Sequence, residues 1–347
     1  MPSARGPGRV NLIGDHTDYN EGRALPIAVD AGTTVSFEPA PVDTLRLRSD
    51  AFFEVATVAV DVDPDPRQLR SLEPAWARLP AAVIALARPA TGGTVQVSSD
   101  LPVGAGLSSS AALAVALACA LGVEGPPTVI AQLCRQAEHL AGSPVGLLDP
   151  LACAGARAGH ALLVDFSTLT TRDVPVPDDA DVVVADSGER RSLRDAGYAA
   201  RVAECEAAAA VVGPLGLAGP EDVLGLRDPV LRRRARHVVT ECARVDAVAA
   251  ALATGDLATA GALLVESHRS LADDFEVSTP AVDAAVAALL ACPGVHGARL
   301  TGGGFGGSVV AIAEPGAVGT AVSSAGGRPL PVWHVRPAAG CLRTSAS

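Results

Sequence analysis

The sequence predicts an α+β protein of two domains, and three observations carry this. The chain has 347 residues, 49% of them hydrophobic, which is enough for more core than one domain usually encloses. Its first third is rich in short β-prone runs, whereas residues 199–264 read as nearly continuous helix. Proline and charge content rises around residues 165–178, so the boundary is expected there, with residues 1–170 in the first domain and 171–347 in the second.

Residues 33–37, 44–47, 52–60 and 93–97 are β-prone runs broken by Pro, Asp or Gly, and each predicts a strand. Residues 74–86 then read as a helix, 111–121 as a second and almost wholly apolar one, and 130–140 as a third with an amphipathic pattern. Two apolar runs, 161–165 and 182–185, predict buried strands. In the helical stretch that follows, Pro214, Pro220 and Pro229 punctuate the pattern, and a late strand at 308–313 follows a glycine cluster. Beyond an alanine bias there is no low-complexity segment and no internal repeat.

Composition narrows the function. The net charge is −11 and no basic block stands out, which argues against nucleic acid as a partner. The chain contains no lysine, so all 27 of its Lys and Arg residues are arginine. That absence removes the lysine-bearing phosphate loop, the strand lysine of protein kinases and Schiff-base chemistry. A nucleotide would have to be held by backbone amides, hydroxyls, arginine and a metal. Cys119, Cys134, Cys153, Cys205, Cys242, Cys292 and Cys341 form no CxxC pair, which gives zinc little support. The longest apolar run, residues 111–123, is too short to span a bilayer, and no signal peptide is evident. The expectation is a cytoplasmic monomer with no membrane partner.

The segment Leu101-Pro-Val-Gly-Ala-Gly-Leu-Ser-Ser-Ser-Ala-Ala carries the clearest mechanism. Gly104 and Gly106 permit unusual backbone angles around Ala105 and Leu107. Ser108, Ser109 and Ser110 fall where the apolar helix begins. A helix start presents unpaired N–H groups and the positive end of the helix dipole, which together suit phosphate. Read alone, the same residues also describe an ordinary glycine turn with a serine cap.

The segment does not stand alone. It resembles the second signature of the GHMP kinases, the superfamily of galactokinase, homoserine kinase, mevalonate kinase and phosphomevalonate kinase. Pro7 to Asn20, PGRVNLIGDHTDYN, is similar to the sugar signature of galactokinases, PGRVNLIGEHTDYN. Leu300-Thr-Gly-Gly-Gly-Phe-Gly-Gly-Ser308 resembles the third GHMP signature. The stretches from Arg234 to Glu241 and from Glu266 to Ser278 agree with galactokinases as well, so the likeness runs from about Pro7 to Cys341. It implies the two-domain GHMP fold, with an N-terminal domain like domain 2 of ribosomal protein S5, a C-terminal α+β domain and an active site in the cleft between them. It also implies ATP and Mg²⁺ as cofactors and phosphorylation of a sugar at its anomeric hydroxyl.

By the same resemblance Asp149, in Gly146-Leu-Leu-Asp, falls at the catalytic aspartate, a general base toward the sugar C1 hydroxyl. Taken by itself it would also suit the start of a helix. Arg9 matches the active-site arginine, which favours the charged form of a nearby carboxylate and offsets charge on a γ-phosphoryl group. Asp15, His16, Thr17 and Asp18 occupy the sugar-binding tetrad, and Gly146 and Tyr198 match further sugar contacts. Glu138 matches the glutamate that joins Ser110 in holding Mg²⁺, although its spacing to Asp149 is one residue shorter than usual.

The sequence departs from the galactokinase pattern in four places. Asp15 stands for the usual glutamate, Pro150 for the usual glutamine, residues 186–193 are a variant stretch, and few residues precede Pro7. Galactose is therefore the first expectation. Alternatives are the same chemistry on an N-acetylhexosamine, a uronic acid or arabinose, or a sugar sensor without turnover. The sensor is disfavoured because Arg9, Asp149 and all three serines are present.

Overall fold

The computed structural model describes residues 1–102, 104–143, 145–189, 196–323 and 327–344. Its first half is built on a sheet of six strands. In chain order these are β1 (Ser3–Asn11), β3 (Pro26–Pro39), β4 (Thr44–Ser49), β5 (Phe52–Ala59), β6 (Gly93–Ser99) and, from the far end of the chain, β14 (Leu342–Thr344). The spatial order is β14-β1-β3-β6-β4-β5, antiparallel except for the β4–β6 pair. Between β5 and β6 the chain runs through α1 (Pro66–Ser71), a short 3₁₀ turn and α2 (Arg78–Ala87). A two-residue strand, β2 (Arg23–Ala24), pairs with β7 (His160–Asp165), which pairs with β8 (Thr170–Pro175), to make a separate small sheet.

The apolar helix predicted after the glycine loop is α3 (Ser109–Ala120), followed by α4 (Pro127–Ala141) and α5 (Leu148–Gly155). Nine of the twelve residues of α3 are buried, because it packs on β1 and β3 on one side and on α2, α4 and α5 on others. Its small alanines let the sheet come close. A side chain on Gly6 of β1 would begin only 2.3 Å from the Ala112 carbonyl oxygen, so only glycine fits there.

The second half is built on a five-stranded sheet ordered β10-β11-β9-β13-β12, from β9 (Asp181–Asp186), β10 (Val295–Thr301), β11 (Ser308–Ala313), β12 (Ala321–Ser323) and β13 (Pro329–Val335). The helices of this half are α6 (Ala196–Val212), α7 (Pro220–Gly225), α8 (Pro229–Thr254), α9 (Leu257–Asp273) and α10 (Pro280–Leu290). The expected punctuation is visible in them. Pro220 and Pro229 occupy first helical positions, where no N–H is needed, and the Asp228 carboxylate caps α8 by accepting from the amides of Val230 and Leu231. The elements without a sequence signal are the strands β1, β2, β8, β10, β12, β13 and β14 and the helices α1 and α10. In β1 the run SARGPGRVN has too little apolar content to look like a strand.

The two sheets share apolar packing. Val10, Leu12 and Ile27 belong to the same buried cluster as Val184, Val310 and Ile312 of the second sheet and Val245, Val248 and Leu264 of α8 and α9. This seam brings the end of β1, the glycine loop before α3, the start of α5 and the turn between β10 and β11 to one place. Among the described residues, no helix is long and apolar enough to cross a membrane.

Candidate active site

Arg9 sits near the end of β1, just past an irregularity in its pairing with β3. Its Nε donates to Asp149 Oδ1 at 2.6 Å and its Nη2 to Asp149 Oδ2 at 2.5 Å, a two-pronged pair across 140 residues of sequence. Burial opposes the Arg9 charge, but the Asp149 carboxylate more than offsets this, so Arg9 titrates above an ordinary arginine. Ser108 Oγ donates to Asp149 Oδ2 at 2.5 Å. Asp149 itself lies in the first turn of α5, one position past its start, and Pro150 follows in the same turn. First-turn amides lack intrahelical partners, which is why a proline is tolerated in place of glutamine.

The glycine loop is tied to this pair through its carbonyls. Leu107 O accepts from the Arg9 amide at 3.0 Å, Gly106 O accepts from Arg9 Nη1 at 2.8 Å, and Ala105 O accepts from Ser308 Oγ at 2.8 Å. Ala105 and Leu107 are buried, while Gly104 and Gly106 adopt the left-handed angles expected of them, with φ of 84° and 68°. Ser108 occupies the capping position of α3, also in left-handed backbone, yet its hydroxyl makes no bond to that helix and turns to Asp149 instead. Ser109 and Ser110 are exposed in the first turn of α3. The result is a helix N-terminus held open beside a carboxylate and an arginine, which suits an anion.

The tetrad divides into a front and a back. Thr17 is fully buried, with its hydroxyl 2.8 Å from Gly14 O and 2.7 Å from Arg23 O, so it shapes the loop from behind. Asp15 is also turned inward. Its Oδ2 accepts from Arg299 Nη2 at 2.6 Å and its Oδ1 from the Gly302 amide at 2.9 Å. His16 has a left-handed backbone, φ 65°, and its Nδ1 is hydrogen-bonded to the Tyr19 hydroxyl at 2.9 Å. Its ring packs on Phe275, with Tyr198 next to it, at centroid distances of 4.5 and 5.6 Å.

Asp18 lies near the Arg9–Asp149 pair. Burial, and then the charges of Asp149 and Asp15, raise its carboxyl to a pKa of about 6. Gly146, directly before the α5 turn, lies against the Asp18 carboxylate. Tyr198, in the first turn of α6, completes this wall. Burial followed by the carboxylates of Asp18, Asp149 and Asp15 holds its phenol well above the usual range. Asp18, Gly146, Tyr198, Arg9 and Asp149 are thus brought together.

Glu138 is 2% exposed on α4, and burial followed by the nearby Asp149 charge raises its carboxyl to about 7, against a hydrogen bond from Ser110. One of its oxygens, Oε1, is buried without a hydrogen-bond partner. An orphaned buried carboxylate oxygen beside a serine hydroxyl at a helix start fits a small hard cation that takes its remaining ligands from water and phosphate. Glu138 on α4 and Asp149 on α5 are close enough that the Asp149 charge acts on the Glu138 carboxyl. In the variant stretch 186–193, residues 190–193 lie outside the described residues.

Sequence reasoning gave no role to Arg299, Gly302 or Ser308, all of which reach these loops. A signal for Arg299 was present, since it stands between Ala298 and Leu300 in a strand that is otherwise apolar there.

Known proteins resemble this chain in sequence and fold. The chain matches the galactokinase galactose-binding signature over residues 3–39, the GHMP kinases N terminal domain over 77–156 and the GHMP kinases C terminal region over 248–328. It is 42% identical over 334 residues to galactokinase of Homo sapiens, covering 90% of this chain and 83% of that one. It is 39% identical over 372 residues to galactokinase of Streptomyces coelicolor, covering 97% and 92%. Among solved structures, Lactococcus lactis galactokinase complexed with galactose superimposes with a TM-score of 0.88 at 27% identity, covering 98% of this chain and 94% of that one.

Proposed function

The chain belongs to the galactokinase family and is a sugar kinase, and on that premise we propose that it transfers the γ-phosphoryl group of ATP to the anomeric C1 hydroxyl of D-galactose. The observation that carries this reading is the junction of Arg9, Asp149 and Ser108 at the start of α3, with Asp18, Gly146 and Tyr198 beside it. A C1 hydroxyl set against Asp149 gives its proton to the carboxylate while its oxygen bonds to the γ-phosphorus. The bond from that phosphorus to the bridging oxygen of ADP breaks, and ADP leaves.

Arg9 holds Asp149 from one side, which fixes the base and places a permanent positive charge where negative charge develops. The amides of the glycine loop and of the first turn of α3 hold the phosphates, a role that lysine fills in other kinases. Ser110 and Glu138 would hold Mg²⁺, which when bound neutralises phosphate charge. His16, Asp18, Gly146 and Tyr198 form the sugar wall, and Asp15 and Thr17 support it from behind. In this reading the two large sheets mark the two domains, divided after β8 rather than at residue 170, with β14 returning to the first, and the enzyme works as a cytoplasmic monomer.

A coupled ADP-release assay with galactose, N-acetylgalactosamine, galacturonate and arabinose tests the proposal, with phosphorus NMR to locate the phosphate. The expected result is Mg²⁺-dependent turnover of galactose to a 1-phosphate. Absence of turnover with galactose, or phosphate at another carbon, would overturn it.

A further inference from the structure

The β10–β11 hairpin reaches both halves of the site. Arg299 of β10 is wholly buried, yet its guanidinium leaves its own sheet to meet the sugar loop, with Nη1 donating to Leu12 O at 3.0 Å and Nη2 to Asp15 Oδ2 at 2.6 Å. Thr301 Oγ1 donates to Asn11 O at 2.8 Å, and the Gly302 amide takes the other Asp15 oxygen. Across the hairpin, Ser308 of β11 donates to Ala105 O of the phosphate loop, and both residues are buried. Thr301 and Ser308 are direct cross-strand partners. Neighbours of that kind sit roughly 5 Å apart at a spacing the ladder itself enforces.

We propose that this hairpin is the alignment device of the site, with Arg299 a positioning residue for the sugar loop and Ser308 a positioning residue for the phosphate loop. The proposal rests on the galactokinase reading and adds two residues outside the reacting groups. Burying a guanidinium is costly, and a buried ion pair is weak as a source of stability. A geometric role accounts for its position. Asp15 directly precedes the left-handed His16, so clamping its carboxylate and the Leu12 carbonyl fixes the approach of the loop that carries Asp18. In-line transfer is sensitive to such placement, where an error of about 1 Å costs on the order of 10²-fold.

The test is a split in Michaelis constants. Ser308→Ala is expected to raise the KM for ATP about tenfold, the equivalent of one lost hydrogen bond, and to leave the KM for galactose near wild type. Ser308→Thr, which keeps the hydroxyl, should restore it. Arg299→Lys keeps the charge but loses the fork that serves Leu12 and Asp15 together, so it should raise the KM for galactose about tenfold with ATP unaffected. Should Arg299→Lys fail to fold, Thr301→Val removes a single anchor to the same strand and should shift galactose alone. Calorimetric affinities for each substrate read the same split without turnover, so a failure of galactose turnover in the wild type overturns the functional reading and not this one. Parallel changes in both constants, or no change in either, would overturn the alignment role.

Discussion

The carboxylate of Asp18 occupies the space in which a side chain on Gly146 would begin, with Oδ2 only 1.5 Å from that position. The sugar loop and the approach to α5 therefore touch through the one residue that has no side chain. Gly146→Ala must displace the Asp18 side chain. The expected outcome is a KM for galactose raised at least about tenfold, as for a lost hydrogen bond to a charged group, with the KM for ATP unchanged. Steady-state kinetics with each substrate varied in turn checks it.

Asp149→Asn keeps the size of the side chain and removes its basicity. It should lower kcat by about 10²–10⁴-fold, the usual contribution of a general base. The phosphate loop remains anchored by Arg9 to Gly106 and Leu107, so ATP affinity measured by calorimetry should stay close to wild type. A near-normal kcat would remove Asp149 from the base role.

If Glu138 holds Mg²⁺ as proposed, it should carry the pH dependence of metal use. With its carboxyl raised to about 7, a divalent cation must displace a proton below that pH. The Mg²⁺ concentration for half-maximal activity should rise as pH falls below about 7, by up to roughly tenfold per unit, and level off above it. Glu138→Ala and Ser110→Ala should each raise the requirement at pH 8 and be partly rescued by excess metal. Glu138→Ala should also lose the pH trend.

The buried glutamate Glu241 should contribute to acid stability. Glu241 is fully buried, and although burial alone would raise its carboxyl, Arg299, His237, Arg244 and the Ser267 hydroxyl hold it at about 2. Its folded pKa is below its unfolded value, so its stabilisation is complete above about 4.5 and lost as pH falls toward 2. Glu241→Ala leaves Arg299 and Arg244 without it and should cost about 3–5 kcal/mol at neutral pH. Denaturant unfolding at pH 7 and pH 3 should show the gap between wild type and variant shrinking in acid.

The legible parts of the structure were those whose signal is local. The amphipathic α4 declares itself by periodicity, α3 and the strand at 308–313 by continuous apolar runs, and the glycine–serine loop by its chemistry. Asp149 and Arg9 were recognised only through family signatures, because nothing within either segment announces a partner 140 residues away. The inward turn of Asp15 was not legible at all. Its partner Arg299 is 284 residues distant, and although a charge inside an apolar strand marks Arg299 itself, nothing in the sequence links it to Asp15. The family tetrad places Thr17 with the sugar contacts, and its hydroxyl instead serves the carbonyls of its own tight turn.

The pairing of β14 with β1 sets an order of events during synthesis. Ser3, Ala4 and Arg5 find their partners Thr344, Arg343 and Leu342 only when the far end of the chain has been made. At about 5–20 residues per second, the flank of the strand that carries Arg9 waits on the order of twenty to seventy seconds for its neighbour. An open strand edge is a site for wrong pairing between nascent chains. Arg5 on that edge and Pro7 just beyond it are residues that discourage such pairing, so the composition that hid β1 from sequence reading also guards it on the ribosome.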